Sequence, residues 1–354
     1  MSDDVREAAR AWDALAAALQ SAGQRLAGDT QGLSDWEQAD GYRALLRALH
    51  NQLGRFEIDR DRPELVPFNG WRQKFFMDNP DFLYWVADLN PDRRYRVRGH
   101  AGDAAYISLT GYRSDEGRAR SVERFDSDAI GLDAAGNYDV TIGGPPHHPI
   151  SLWVRHFHGD VRRQQLGACS IEPLDPVPPP PPIEPGRFAH QLRRLAATIE
   201  SVVPVFAAAA SADAATPNTI RPWAEMTGGA IYTEPGIAYL RGGWQLDDGE
   251  TLVIEGTAPP ARYWNILLYS RFLNSLDHRH RRVSATSTTA TVVDGRYRFV
   301  LAARDPRVDD ADWLDTEGRP FGIVVMRFLQ AASEPEVPAV RRVRLSELAT
   351  RSVG

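Results

Sequence analysis

The sequence has a single cysteine, Cys169, so an internal disulfide and a cysteine-built metal site are both excluded. That usage fits a reducing, cytoplasmic compartment. There is no basic surplus either: 47 acidic residues against 41 basic ones leave a formal net charge of −6, which argues against nucleic acid as a partner. The segment from Met1 to Glu7 is acidic and lacks the apolar run of a secretory signal. No stretch reads as long and apolar enough to cross a bilayer, so no membrane partner is expected. A glycine-rich phosphate loop, a Gly-x-Ser-x-Gly elbow and a His-Glu-x-x-His helix are also missing. Lysine is almost absent, Lys74 being the only one. We read this as genome base composition more than as function.

What is present is ordinary globular composition, 43% hydrophobic and 25% charged over 354 residues. At roughly 150 residues per domain this length suggests about two domains. Trp12, Leu15, Ala16 and Leu19 recur at helical spacing, as do Leu45, Leu46, Leu49, Leu53 and Phe56, so the chain opens with helices. From about residue 82 the period changes to two, in Arg94 to Arg98, Tyr106 to Leu109 and Asn137 to Val140, which predicts short strands. Five prolines, Pro178 to Pro182, cannot donate backbone hydrogen bonds and mark a linker over 176–186. A helical repeat through Phe188, Leu192, Leu195, Ile199 and Val203 follows it, and then strands again.

The two halves also match residue by residue. Residues 89–112 align without gaps on 246–269 at an offset of 157, pairing Leu89 with Leu246, Gly99 with Gly256, Tyr106 with Tyr263 and Tyr112 with Tyr269. Further on, Gly136-Asn137-Tyr138 corresponds to Gly295-Arg296-Tyr297, and the strand ending in Arg155 to the one ending in Arg327. The expected fold is therefore α+β: two tandem antiparallel β-sandwich or jelly-roll modules, 1–175 and 187–354, each preceded by helices.

The run Pro259-Pro260-Ala261-Arg262-Tyr263-Trp264-Asn265-Ile266-Leu267-Leu268-Tyr269 resembles the Pro-Pro-x-x-Phe-Trp-Ser-Leu-x-x-Tyr strand of the bacterial domain-of-unknown-function 1214 family. Asp294-Gly295-Arg296, Asp312-Trp313-Leu314 and Phe321 through Arg327 are similar to later elements of that family, in the same order. Asn79-Pro80-Asp81-Phe82-Leu83-Tyr84 is similar to the Asn-x-Asp-Thr-Leu-Tyr motif of the companion family numbered 1254. The resemblance implies a pair of β-sandwiches and carries no assigned activity, so function must come from residues.

Several groups can carry chemistry. Asn79 and Asp81, on a turn ahead of Tyr84 and Trp85, can bind hydroxyls or act as acid and base, or can simply cap the turn. His156 and His158 stand two apart on a strand, the spacing of a metal-ligand pair and also of solvated histidines. His278 to Arg282 form a cationic cluster suited to a carboxylate or sulfate, or to a solvated loop. Arg155 and Arg327 lie in apolar strands and must be paired or face a polar pocket. Trp223, Tyr232, Tyr239, Trp244, Tyr263, Trp264 and Trp313 can line a groove or fill a core.

The expected function is acid–base chemistry of lyase, isomerase or hydrolase type on a small hydroxylated or polycyclic molecule in an aromatic cleft. Asp81 would be the base, and Tyr84 or Tyr106 the donor. Asn79, Trp85, Arg155, Trp244, Tyr263, Arg281 and Arg327 would bind the ligand. The alternative is a non-catalytic carbohydrate- or small-molecule-binding protein. No cofactor is expected, unless one divalent metal sits on His156 and His158, and the oligomeric state stays open.

Overall fold

The structure, a computed structural model, describes residues 3–115, 118–224 and 232–349; residues 350–354, expected at the end of the second module, lie outside these. Helices α1 (Asp3–Asp29) and α2 (Asp35–Leu53) come first. Eight strands follow: β1 (Val66–Pro67), β2 (Phe82–Asp88), β3 (Arg94–Gly102), β4 (Tyr106–Asp115), β5 (Arg118–Asp126), β6 (Asn137–Gly143), β7 (Ser151–Phe157) and β8 (Leu166–Pro173). The proline run has no regular structure and leads into helix α3 (Pro185–Ala214). Beyond it are β9 (Thr219–Pro222), β10 (Ile237–Gln245), β11 (Glu250–Thr257), β12 (Tyr263–Tyr269) and β13 (Ser284–Thr286). The chain then adds β14 (Val292–Val293), β15 (Arg296–Ala302), β16 (Asp312–Asp315), β17 (Phe321–Leu329), β18 (Ala339–Arg344) and the short α4 (Leu345–Ala349).

The strands build two sandwiches in an α+β fold. In the first, the sheet β1-β2-β7-β4-β5 packs on β6-β3-β8 through Leu109, Leu152 and Val154 on one side and Tyr95, Val97 and Ile142 on the other. In the second, β13-β12-β17-β10-β9 packs on β14-β15-β11-β18, with Trp264 against Tyr297 and Phe299. All pairings are antiparallel except β15 with β16. The sheets that hold β7 and β12 face each other, Phe82 and Phe157 meeting Tyr263 at ring distances of 5.3 and 5.8 Å. The order of layers is outer, inner, inner, outer. Every residue of β7, β12 and β17 is consequently buried, because both faces of these strands are covered, and they read as apolar runs without alternation. An outer strand such as β8 alternates instead.

Connectivity matches between the sandwiches: β3 lies between β6 and β8 as β11 lies between β15 and β18, and β7 lies between β2 and β4 as β17 lies between β10 and β12. The glycines of the offset-157 alignment have a packing reason. Gly99 pairs with Tyr138 across β3 and β6, and Gly256 with Tyr297 across β11 and β15. A Cβ on either glycine would collide with the tyrosine ring lying over it.

The helices depart from expectation in three ways. The buried face of α1 runs through Ala11, Ala18, Ala22 and Leu26, small residues that let the helix lie close to α3, while Trp12 is 62% exposed. α2 reaches the second sandwich: Arg319 donates to Asp40 at 2.7 Å, Arg271 lies 3.3 Å from Glu37, and Gly41 sits against the Phe272 ring. Lastly, α3 is long and apolar enough, by length and composition, to cross a membrane, contrary to the sequence expectation. Its alanine-rich second half carries few charges; here Ile199, Val202, Val203 and Phe206 are buried in the core.

Replacing Gly99 or Gly256 by alanine is expected to lower stability by about 1–3 kcal/mol, the range for overpacking a filled core. Chemical denaturation measures this, and an unaffected midpoint would show that the tyrosines yield freely.

Candidate functional site

The period-two geometry of the central strands fixes the site. On β7, Leu152 and Val154 point into the first sandwich, so Trp153, Arg155 and Phe157 point between the two inner sheets. Arg155 is flanked by Tyr84 on β2 and Ser108 on β4; at the matching place on β17, Arg327 is flanked by Tyr239 on β10 and Asn265 on β12. Both arginines are buried, with 2% and 5% exposure.

They are satisfied differently. Arg155 Nη1 lies 3.1 Å from Glu234 Oε2, and Nη2 donates to Tyr112 Oη at 3.3 Å and to the Tyr232 carbonyl. Glu234 also accepts from Ser108 Oγ at 2.7 Å and Arg124 Nη2 at 2.9 Å. Arg327 donates through Nη2 to Tyr269 Oη at 2.8 Å and to the Met77 carbonyl at 3.4 Å. Its Nη1 is buried with no hydrogen-bond partner, and among the described residues no carboxylate comes within 4.0 Å of it. A buried guanidinium left this way is costly unless something else takes its charge.

Both arginines line a cavity of about 340 Å³ walled by Phe68, Phe75, Phe76, Phe82, Tyr84, Trp153, Tyr232 and Tyr239, with Gln52, Arg55 and Thr198 from the helices at its side. Tyr232 stacks on Trp153 at 5.2 Å, and Phe75 on Phe76 at 4.1 Å. Burial pushes the Tyr84 phenol well above its ordinary range and that of Tyr239 up to about 12, so both are neutral donors at physiological pH. The chamber offers aromatic walls, three phenols and a guanidinium, that of Arg327, without an ion-pair partner among the described residues.

The expected catalytic residues do not converge. Asn79 caps its turn, accepting the Asp81 amide at 3.0 Å. Asp81 accepts from Asn265 Nδ2 at 3.0 Å and Ser284 Oγ at 3.3 Å. Burial pushes its carboxyl up to about 6, against the opposing pull of those two donors and of Arg327 and Arg162. It opens on a separate hollow of about 250 Å³ with Arg162, Arg281 and Arg282, where Arg281 is paired with Asp315 at 2.7 Å. Tyr106 faces elsewhere again, donating to Asp126 Oδ2 at 3.2 Å. Of the expected set, Tyr84, Arg155 and Arg327 share the aromatic cavity.

The remaining expectations fall in the core. Trp85 lies against His156 inside the first sandwich, 4.9 Å away. Trp244 is fully buried, donates Nε1 to the Arg319 carbonyl at 3.2 Å and covers Gly322, which leaves it no role in a pocket. Tyr263 packs between Phe82 and Phe157. His156 Nε2 is 3.0 Å from Tyr138 Oη and its Nδ1 is covered by Gly167; burial lowers the imidazole to about 3. His158 is also buried, which lowers its pKa against the opposing pull of Gln164, and neither ring nitrogen has a partner at hydrogen-bond geometry among the described residues. Among the described residues no group of three or more histidine, cysteine, aspartate or glutamate side chains is arranged to hold a metal ion, so the pair lacks the further ligands such a site needs. Sequence reasoning missed Glu234, Trp153, Phe68 and Phe75 to Met77. Glu234-Pro235-Gly236 reads as a turn, and only the fold brings it to Arg155.

No family model matches the chain, and no curated protein does. Among solved structures, the crystal structure of an uncharacterized protein from Burkholderia cenocepacia superposes with a TM-score of 0.89 at 26% identity, over 96% of this chain and 98% of that one. The VPA0106 protein from Vibrio parahaemolyticus gives a TM-score of 0.46 at 15% identity, over 86% of this chain and 99% of that one. The Burkholderia protein thus has the same fold along nearly its whole length.

Glu234→Gln leaves the Arg155 charge buried without its counter-ion and is expected to cost about 3–5 kcal/mol, read from denaturant midpoints. Asp81 has a folded pKa raised to about 6 above that of a free carboxyl, so the folded chain binds the extra proton between those values. Stability from this group is therefore present below about pH 4 and lost as pH rises towards 6, by about 2–3 kcal/mol. Asp81→Asn should flatten that part of the stability profile; an unchanged slope would assign it to other groups.

Proposed function

We propose that this protein binds a small organic anion with an aromatic or polycyclic body in the cavity between its two sandwiches. The carrying observation is Arg327: buried, with no carboxylate within 4.0 Å among the described residues and with Nη1 unpartnered at the edge of an aromatic chamber. A ligand carboxylate would take that charge as a forked acceptor, with the Tyr84 and Tyr239 phenols as further donors. The cavity volume falls in the ordinary range for small-molecule sites.

The binding role is favoured over catalysis at this site because its carboxylates are engaged. Glu234 is held by Arg155, Arg124 and Ser108, and Asp78 accepts from the Ser275 amide and hydroxyl at 2.9 and 2.6 Å. A second reading, acid–base catalysis, rests on Asp81 alone, whose raised pKa and neighbouring arginines suit a general acid or base in the smaller hollow. The strand-for-strand correspondence supports a duplicated module, in keeping with the resemblance to the 1254 and 1214 families. The lone cysteine supports a reducing compartment.

Calorimetry with 2-naphthoate and the neutral 2-naphthol tests the main reading. Naphthoate is expected to bind more tightly, and Arg327→Met to weaken it by about ten- to a hundredfold while leaving naphthol unchanged. Equal binding of the two probes, or indifference to Arg327→Met, would overturn the reading. Asp81→Asn should leave naphthoate affinity unaltered.

A further inference from the structure

A second cavity, of about 280 Å³, lies between α2 and the segments around residues 71–74 and 270–282 and shares no lining residue with the aromatic chamber. Its lining is rich in charge, with Asp315 and Asp78 just outside it. Five cations line it, Arg43, Arg47, Lys74, Arg281 and Arg319, against three carboxylates, Asp40, Asp277 and Glu317. The carboxylates are engaged: Asp40 by Arg43 and Arg319, Glu317 by Arg319 at 2.9 Å, and Asp277 by the His280 ring at 3.0 Å. Arg281 is paired with Asp315 outside the cavity lining.

Two of the cations stand apart from these ion pairs. Lys74, the only lysine in the chain, is 1% exposed and donates Nζ to the carbonyls of Ser275 and Leu276 at 2.5 and 2.8 Å. Arg47 is 8% exposed, and its one side-chain contact of hydrogen-bond length runs to Asn274 Oδ1 at 3.4 Å. Among the described residues neither has a carboxylate within 4.0 Å. Both lie over the Trp71 ring, Nζ at 4.6 Å and the guanidinium carbon at 5.2 Å from its centroid. Two desolvated positive charges beside one indole repel each other, a cost that Asp78 and Glu317 reduce and that an anion in the cavity would reduce further. Burial and the Arg47 charge lower the lysine to about 8, against the opposing pull of Asp78 and Glu317.

We propose that this cavity is an oxyanion site for a phosphate monoester, the phosphoryl oxygens held by Arg47 and Lys74 and the organic part lying towards Trp71. A guanidinium beside an ammonium supplies forked and point donors together, which suits the several oxygens of a phosphoryl group.

Calorimetry on the full chain with glycerol 3-phosphate and inorganic phosphate tests this, with sodium chloride as an ionic-strength control. Glycerol 3-phosphate is expected to bind with a dissociation constant below about 1 mM, and Arg47→Gln to weaken it by at least about tenfold. Naphthoate binding in the other cavity should be unchanged in that variant, which separates this proposal from the preceding one. Lys74→Met removes two bonds to backbone and can unfold the chain, so Lys74→Arg serves beside it and is expected to retain binding. Absence of glycerol 3-phosphate binding up to about 10 mM, or binding indifferent to Arg47→Gln, would overturn the proposal.

Discussion

Two guanidinium groups buried on the central strands of the inner sheets constrain everything around them. A charge on a strand covered on both faces is largely shielded from water, so the neighbouring structure must supply most of its partners. For Arg155 that supply is complete: Glu234 arrives from the second sandwich with Arg124, Ser108 and the Tyr112 hydroxyl arranged about it. This ties the sandwiches together by an ion pair as well as by packing. For Arg327 only neutral acceptors arrive. The two sandwiches thus share the strand order around these arginines, and only one of the two arginines receives a carboxylate.

Much of the framework was legible in the sequence because its causes are local. The offset of 157 picks out glycines that exist to make room for Tyr138 and Tyr297, and it picks out Arg155 and Arg327, whose rank in the strand is set by period two. The aromatic list contained Tyr232 and Tyr239, which line the cavity, beside Trp244 and Tyr263, which do not. Nothing in a single strand distinguishes an aromatic facing an inner gap from one facing its own sandwich, since both faces are buried. Glu234 was illegible for another reason: its partner lies 79 residues away and in the other sandwich. Lys74 and Arg47 were passed over because one belongs to a short irregular segment and the other to a helix, and their shared indole appears only once the chain is folded.

The helices show how composition misleads when it is separated from packing. Trp12 carries a large apolar surface and yet stands outward, while alanines make the contact, because close approach of two helices needs small side chains. The same alanine richness gives α3 the length and apolarity of a membrane span, although Ile199, Val203 and Phe206 on one of its faces lie in the core. Asp81 teaches a related lesson about polar residues. A carboxyl on a turn was expected to act, and it is first of all buried, hydrogen-bonded and shifted.

The docking of α2 on the second sandwich has a consequence for biosynthesis. Asp40 meets Arg319 across 279 residues of chain, so the helix is made long before its seat exists. At translation rates of about 5–20 residues per second the interval is roughly 15–60 s, during which the face of α2 that will meet Phe272 and Arg319 stays open on the ribosome. Final closure of the molecule must then be a late, long-range event governed by loop-closure entropy more than by helix formation. The first sandwich can assemble early, but the wall that α2 adds to its aromatic chamber is completed only after the last third of the polypeptide has emerged.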